Sequence, residues 1–149
     1  MLDTKTIAAK WYVGELFGED MPTIACEALE QGHDGTSLRR LAGLSGPTRR
    51  DIQKIVDHAL RELGVQAPIT RHDAALWLAS RVANDIVVGR IGPYDGACRI
   101  WLFYAFEAPE LEHWSNLVTD FEGAGEAGKT ETAQSQIMKA AHDLSSAVK

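Results

Sequence analysis

The amino-acid sequence predicts an all-α fold, on three observations. Apolar residues recur with the helical period of about 3.6 residues in nearly every segment. No segment shows the sustained alternation of apolar and polar residues that a half-buried strand requires. The composition, 45% apolar and 24% charged over 149 residues, is typical of a globular chain. We therefore expect a single domain, residues 1–149, of about seven or eight short helices in an orthogonal array.

Glycine and proline residues divide the helical pattern into short segments, because both terminate helices. The segments predicted as helices are about residues 4–17, 23–31, 38–44, 49–63, 71–88, 93–106, 109–121 and 131–147. Residues 123–129 are rich in glycine, and we expect them to form a flexible linker before the C-terminal helix.

The fourth helix has the strongest pattern. Thr48 is suited to the N-cap, and Asp51 stands three residues later, where its carboxylate can accept a hydrogen bond from the cap backbone. Thr70 and Asp73 repeat this start for the fifth helix. The apolar face of the fourth helix contains Ile52, Ile55, Val56, Ala59, Leu60 and Leu63.

The sixth helix is apolar on most sides, with Ile100, Trp101, Leu102, Phe103, Tyr104 and Phe106 close together. A helix that is apolar all round is usually central, so we expect this one to be buried. Trp77 lies off the inner face of the fifth helix. It is therefore either a second layer of core or, with Arg81 nearby, part of a protein interface.

Charge is unevenly distributed along a chain whose formal net charge is −6. Residues 36–63 contain six basic and three acidic side chains, whereas residues 105–128 contain six carboxylates and no basic residue. The chain therefore consists of acidic segments around one basic helical pair.

The segment from Ser37 to Ile55 contains Ala42 and, four residues later, Gly46 at a turn position that favours left-handed backbone. Ile52 and Ile55 are spaced to anchor the helix that follows. This segment resembles the helix-turn-helix of DNA-binding regulators, although Gly43 and Ser45 depart from the usual pattern. An ordinary helical hairpin explains the same residues, since a tight turn requires small residues and proline.

The resemblance implies a set of nucleic-acid contacts. Arg49, Arg50, Gln53 and Lys54 would lie at the exposed N-terminal end of the second helix and meet base edges, and Arg39 and Arg40 would meet phosphates. The overall negative charge opposes the approach of DNA at long range.

Three patterns that suggest cofactor or catalytic chemistry lack the context that each requires. Glu110 and His113 have the Glu-x-x-His spacing of di-iron helices, but a second such pair on another helix is missing. Residues 123–130 match a phosphate-binding loop in letters, yet no strand is predicted before them. Cys98 lies on an apolar helix, where a thiol is usually inert. We expect no metal, no cofactor and no catalytic residue.

These observations predict a small, acidic, soluble protein that binds another protein through its acidic surface. The alternative is a nucleic-acid-binding regulator that uses residues 36–63, and an enzyme is the less favoured class. No apolar run approaches the roughly 20 residues that cross a bilayer, so we expect no membrane partner. Without a visible secretory signal, the widely separated Cys26 and Cys98 fit buried thiols in the reducing cytoplasm. The sequence leaves the oligomeric state open.

Overall fold

The computed structural model describes residues 2–148, of which residues 126 and 127 are described by their backbone alone. The described chain is all-α, as predicted, and contains eight α-helices and three 3-10 helices, with no strand among these residues. The α-helices are α1 (Thr4–Val13), α2 (Met21–Glu30), α3 (Thr36–Ala42), α4 (Arg49–Glu62), α5 (Arg71–Val87), α6 (Pro93–Leu102), α7 (Trp114–Ala127) and α8 (Thr130–Ala147). The 3-10 helices are η1 (Gly18–Asp20), η2 (Phe103–Phe106) and η3 (Pro109–Leu111).

The chain divides into two compact units, which we call the N-terminal unit, up to Thr70, and the C-terminal unit, from Arg71. The first contains α1 to α4 with η1, and the second contains α5 to α8 with η2 and η3. The prediction of a single domain over residues 1–149 remains a prediction. Among the described residues, no helix is both long and apolar enough to cross a membrane.

The N-terminal unit is built around α3, which packs against α2 and α4. Its core consists of Ala8, Trp11, Met21, Ala25, Ala28, Leu38, Leu41, Ile52, Val56, Ala59, Leu60 and Leu63. The predicted start of α4 is confirmed, because the Thr48 side chain accepts from the Asp51 backbone and Asp51 accepts from the Thr48 backbone. Tyr12 of α1 donates a hydrogen bond to the carboxylate of Asp57 on α4.

The C-terminal end of α4 caps the N-terminal end of α3. The Glu62 carboxylate accepts hydrogen bonds from the backbone amides of Ser37 and Leu38, at 3.2 and 2.9 Å. Gly35 makes room for this contact, since a Cβ at that position would lie 2.2 Å from the Glu62 carboxyl carbon. A side chain from one helix therefore satisfies backbone amides that the first turn of the other leaves without helical partners.

In the C-terminal unit, α5 packs against α6 and α8, and α7 packs against both α6 and α8. Many of the buried residues are alanines, which let helix backbones approach closely. The core contains Ala74, Ala75, Leu78, Ala79, Ala83, Ile86, Ala97, Ile100, Phe103, Ala108, Leu111, Trp114, Ala124, Ala133, Ile137 and Ala141. Gly96 of α6 lies directly against Ile86 of α5.

The predicted linker at residues 123–129 is wrong, because residues 123–127 form the last turns of α7. Ala124 is buried and holds this glycine-rich stretch against the core. Gly128 has a left-handed backbone, and the Lys129 amide donates to the Ala124 carbonyl at 2.8 Å. Only the connection from Gly128 to Lys129 separates α7 from α8.

Two other helix ends differ from the sequence prediction. Helix α1 ends at Val13 because Gly14 takes a left-handed backbone with φ 85°, and its amide donates to the Lys10 and Trp11 carbonyls. Helix α6 ends at Leu102, where the chain tightens into η2. The expected burial of the apolar α6 is also wrong in part, since 67% of Leu102 is exposed. Cys26, expected to be buried, is exposed, and its thiol lies 3.8 Å from the Ala42 carbonyl of α3.

Candidate partner-binding surface

The residues that the helix-turn-helix resemblance assigns to nucleic acid lie on α3 and α4. Gly46 has the predicted left-handed backbone, with φ 58°. The connection between the helices covers residues 43–48, however, and is longer than the turn of about three or four residues that is typical of the motif.

Arg39 is engaged within the N-terminal unit. Its guanidinium forms two parallel hydrogen bonds with the Asp34 carboxylate, Nε to Oδ1 at 2.8 Å and Nη2 to Oδ2 at 2.5 Å. This pairing lowers the pKa of Asp34, first through the hydrogen bond from Arg39. The pair engages Nε and Nη2, so a phosphate contact by Arg39 would use the remaining N–H groups of the guanidinium or compete with Asp34.

Arg49 does not lie at an exposed helix end, as the sequence predicted, but is partly buried. Its guanidinium donates to the Trp11 carbonyl at 2.5 Å and to the Leu16 carbonyl at 3.4 Å. The guanidinium carbon lies 3.8 Å from the centre of the Trp11 ring. Arg49 therefore joins α4 to the end of α1, because backbone carbonyls in and just after the last turn of a helix are natural acceptors for a cation.

Five of the sequence-predicted contact residues are exposed: Arg39, Arg40, Arg50, Gln53 and Lys54. Arg39 is paired with Asp34. We call the other four residues the basic face. Trp77 is half-buried on α5, with the Arg81 guanidinium 5.7 Å from its ring centre. It thus belongs to the C-terminal unit, as a packed residue with one accessible side.

Two of the exposed large apolar residues lie close together in the chain at the end of α6. Leu102 is 67% exposed and Tyr104 is 38% exposed. The half-buried Trp101 ring stacks on Tyr104, with centroids 4.9 Å apart and planes 11° from parallel. We call Trp101, Leu102 and Tyr104 the aromatic patch.

Buried neighbours on the same segment hold the aromatic patch in place. Phe103, Ala108 and Leu111 are all buried, so the segment from residue 103 to residue 111 is anchored at both ends. Leu102, the last residue of α6, and Tyr104, in the 3-10 helix of residues 103–106, are exposed on either side of the buried Phe103 in the chain.

The backbone of this segment is unusual at one position. Among the described residues, Glu107 is the one residue other than glycine with a positive φ, 65°. A non-glycine residue in this region costs roughly 1 kcal/mol or more and persists where the surrounding structure holds it. Its carboxylate is exposed directly beside the aromatic patch in the chain.

The first turn of α5 holds the segment through two contacts. The Arg71 guanidinium lies 5.4 Å from the Phe106 ring centre. His72 Nε2 lies 2.6 Å from Glu110 Oε2, and His72 Nδ1 lies 3.0 Å from Asp73 Oδ1. The hydrogen bonds with Asp73 and then Glu110 raise the pKa of His72 above its ordinary value of 6.5.

Carboxylates follow the aromatic patch in the sequence. In the structure, some of them contact other side chains and others are exposed. Glu110 contacts His72, and Glu122 accepts a hydrogen bond at 2.8 Å from Tyr94, whose ring stacks on Phe121. Glu107, Glu112 and Asp120 are exposed. The exposed carboxylates make this part of the C-terminal unit acidic.

The residue pairs that suggested cofactor chemistry are not assembled into sites. Glu110 lies in η3 and contacts His72, while His113 precedes α7 and is exposed. In the part of the chain that the structure describes, no group of three or more His, Cys, Asp and Glu side chains could hold a metal ion. The letters of the phosphate-binding loop fall on the end of α7 and the start of α8, so no strand precedes them.

Sequence reasoning missed the aromatic patch, although it identified the residues as apolar. The apolar run at residues 100–106 was read as a sign of burial. Two charged residues, Arg99 and Glu107, stand on either side of this run in the sequence. They are the signal that the run reaches the surface, and both are exposed in the structure.

Comparison with known proteins gives no match: no family model matches the chain, and no curated protein or solved structure shows significant similarity to it.

Proposed function

We propose that this protein acts by binding another protein, and that the aromatic patch of the C-terminal unit is the contact surface. The observation that carries the proposal is the exposure of Leu102 and Tyr104 next to the half-buried Trp101. Large apolar side chains that remain exposed in one place are typical of interaction sites. Tryptophan and tyrosine are also enriched among the residues that contribute most to binding energy.

The surroundings of the patch define the chemistry of the partner. Among the exposed charged residues, Arg99 precedes the patch in the chain and Glu107 follows it, and Glu112 and Asp120 lie on the elements after that. The carboxylates outnumber Arg99, and this excess attracts a partner surface that carries lysine or arginine around an apolar anchor and opposes a second copy of this acidic chain. The proposed partner is therefore a protein with a basic rim around an apolar side chain, and the proposed location is the cytoplasm.

Substitution at the patch tests this proposal. Leu102→Asp places a charge in the centre of the proposed interface, and we expect it to weaken binding by at least about 30-fold, which corresponds to the roughly 2 kcal/mol of a central interface residue. The matched control is Val88→Asp. It introduces the same charge at another exposed apolar residue of the same unit, outside the aromatic patch.

The partner is first captured with the wild-type protein and identified, and its affinity for each variant is then measured by calorimetry with purified components. Retention of wild-type affinity by Val88→Asp together with loss in Leu102→Asp supports the proposal. Equal affinity of all three proteins for the captured partner would place the contact elsewhere and refute it.

Nucleic-acid binding through the basic face is the second candidate function. The observation in its favour is the exposure of Arg40, Arg50, Gln53 and Lys54 on two helices joined by a turn with left-handed Gly46. It ranks below protein binding because Arg39 is paired with Asp34 and the Arg49 guanidinium donates to the Trp11 carbonyl within the N-terminal unit. Its test is a DNA titration across a salt series, with the wild type and a variant that lacks exposed basic residues of this face.

A further inference from the structure

We infer that His72 is a proton-controlled clip that holds the segment bearing the aromatic patch, and that the segment loosens as the pH rises. The clip consists of His72 on α5, its neighbour Asp73, and Glu110 on η3. Any effect of this loosening on partner binding rests on the proposed function, whereas the pH-dependent contact itself does not.

The geometry requires a doubly protonated ring. Each imidazole nitrogen lies within 3.0 Å of a carboxylate oxygen. A carboxylate only accepts hydrogen bonds, and a neutral imidazole has a single N–H to donate. Both contacts are therefore satisfied only when His72 is the imidazolium cation.

Loss of one proton leaves a ring nitrogen lone pair facing a carboxylate oxygen. The neutral ring keeps one N–H, so the Asp73 and Glu110 contacts compete for a single donor. The attraction between the His72 cation and the Glu110 carboxylate is lost as well. Deprotonation therefore weakens one of the two side-chain contacts that the first turn of α5 makes with this segment, the other being Arg71 on Phe106.

The segment is suited to respond because it contains the left-handed Glu107. A backbone held in a sparsely populated conformation relaxes when its restraints are removed. The buried Phe103, Ala108 and Leu111 limit the change, so we expect local loosening between residues 104 and 110 rather than unfolding.

The direction of the pH effect follows from the groups that face His72. Asp73 of α5 and Glu110 of η3 act on the ring, and both raise its pKa, while the adjacent Arg71 is directed over Phe106. A histidine whose pKa is higher in the folded state stabilises that state fully below the unfolded value, about 6.5. This stabilisation is lost as the pH rises through the higher, folded value.

The experiment is a pH titration of the isotope-labelled whole chain by nuclear magnetic resonance, without any partner. We expect the His72 ring to titrate above 6.5. The backbone amides of residues 104–110 should shift with the same midpoint and lose hydrogen-exchange protection several-fold above it, after correction for the intrinsic exchange rate. Glu110→Gln should lower the His72 midpoint, because it removes one of the two carboxylates.

Two variants distinguish the clip from a general pH effect. His72→Gln should abolish the transition at residues 104–110, whereas His113→Gln, a change at an exposed histidine nearby in the chain, should leave it intact. Persistence of the transition in His72→Gln, or a His72 ring that titrates without any change at residues 104–110, would overturn the inference. Because no partner is present, failure of this test is distinguishable from failure of Leu102→Asp to weaken binding.

Discussion

Arg49 and Arg50 are adjacent in the sequence, identical in chemistry and opposite in environment. Arg50 is exposed, whereas the Arg49 guanidinium lies on the Trp11 ring and donates to two backbone carbonyls. The sequence assigned both to the same exposed helix end, because the period of α4 indicates which face is apolar but not which polar residue at its first turn meets a neighbouring helix. A long, cationic side chain can serve either role.

This difference gives a matched pair of variants. Arg49→Ala should lower the free energy of unfolding by about 2 kcal/mol, because charge-assisted hydrogen bonds contribute roughly 1.5–3 kcal/mol and the contact with the tryptophan ring adds to them. Arg50→Ala should change it by less than about 0.5 kcal/mol, as is usual for an exposed position. Urea unfolding followed by circular dichroism measures both values. Equal effects of the two changes would show that Arg49 is not held as described.

At the scale of the single helix, the start and the apolar face of α4 are predictable from the sequence, and the end of α7 is not. The start of α4 is determined locally by Thr48 and Asp51, and its buried residues are those of its apolar face. The end of α7 contains Gly123, Gly125 and Gly128, and their low helix propensity predicts a linker. Burial of Ala124 within the C-terminal unit overrides that propensity, and burial of one residue against other helices cannot be read from a local pattern.

Because the glycines of α7 are not required by packing, alanine should improve the helix. A Cβ added at Gly123 or Gly125 meets no atom within 4 Å. Each change to alanine should stabilise the protein by about 0.5–1 kcal/mol, through the reduced backbone entropy of the unfolded chain. The double variant should therefore unfold at a higher urea concentration and resist proteolysis at residues 123–129 longer than wild type.

Gly128→Ala is the control, and it should destabilise the protein, because Gly128 has a positive φ of 67° at the end of α7. If the double change at Gly123 and Gly125 leaves both stability and proteolysis unchanged, these residues are not helical in solution, and the linker prediction from the sequence is right after all.

At the scale of the whole molecule, the fold class followed from the period of the apolar residues, while the candidate surface did not. Periodicity depends on each helix having one buried face, which is a local property. The exposure of Leu102 depends instead on how α6 and η2 pack against the other helices of their unit, which is not a local property. An apolar residue in a binding surface and one in a core give the same apolar pattern, so that pattern alone does not separate the two.

At the same scale, the salt dependence of DNA binding is the measurement that separates the two candidate functions. Each Lys or Arg contact with a phosphate releases counterions and adds roughly 0.9 to the slope of log affinity against log salt concentration. In a nucleic-acid binder that uses the basic face, the double variant Arg50→Ala/Lys54→Ala would therefore reduce this slope by about 1.8, while it retains the packed Arg49.

The molecule has a formal net charge of −6, and such a charge repels DNA at low salt, where electrostatic forces reach furthest. We expect the wild-type protein to bind random duplex DNA no better than a control protein of similar acidity, with no difference from the double variant, in fluorescence anisotropy titrations across a salt series. Salt-sensitive binding by the wild type that the double variant loses, with its helical circular dichroism unchanged, would instead make nucleic-acid binding the function of the N-terminal unit.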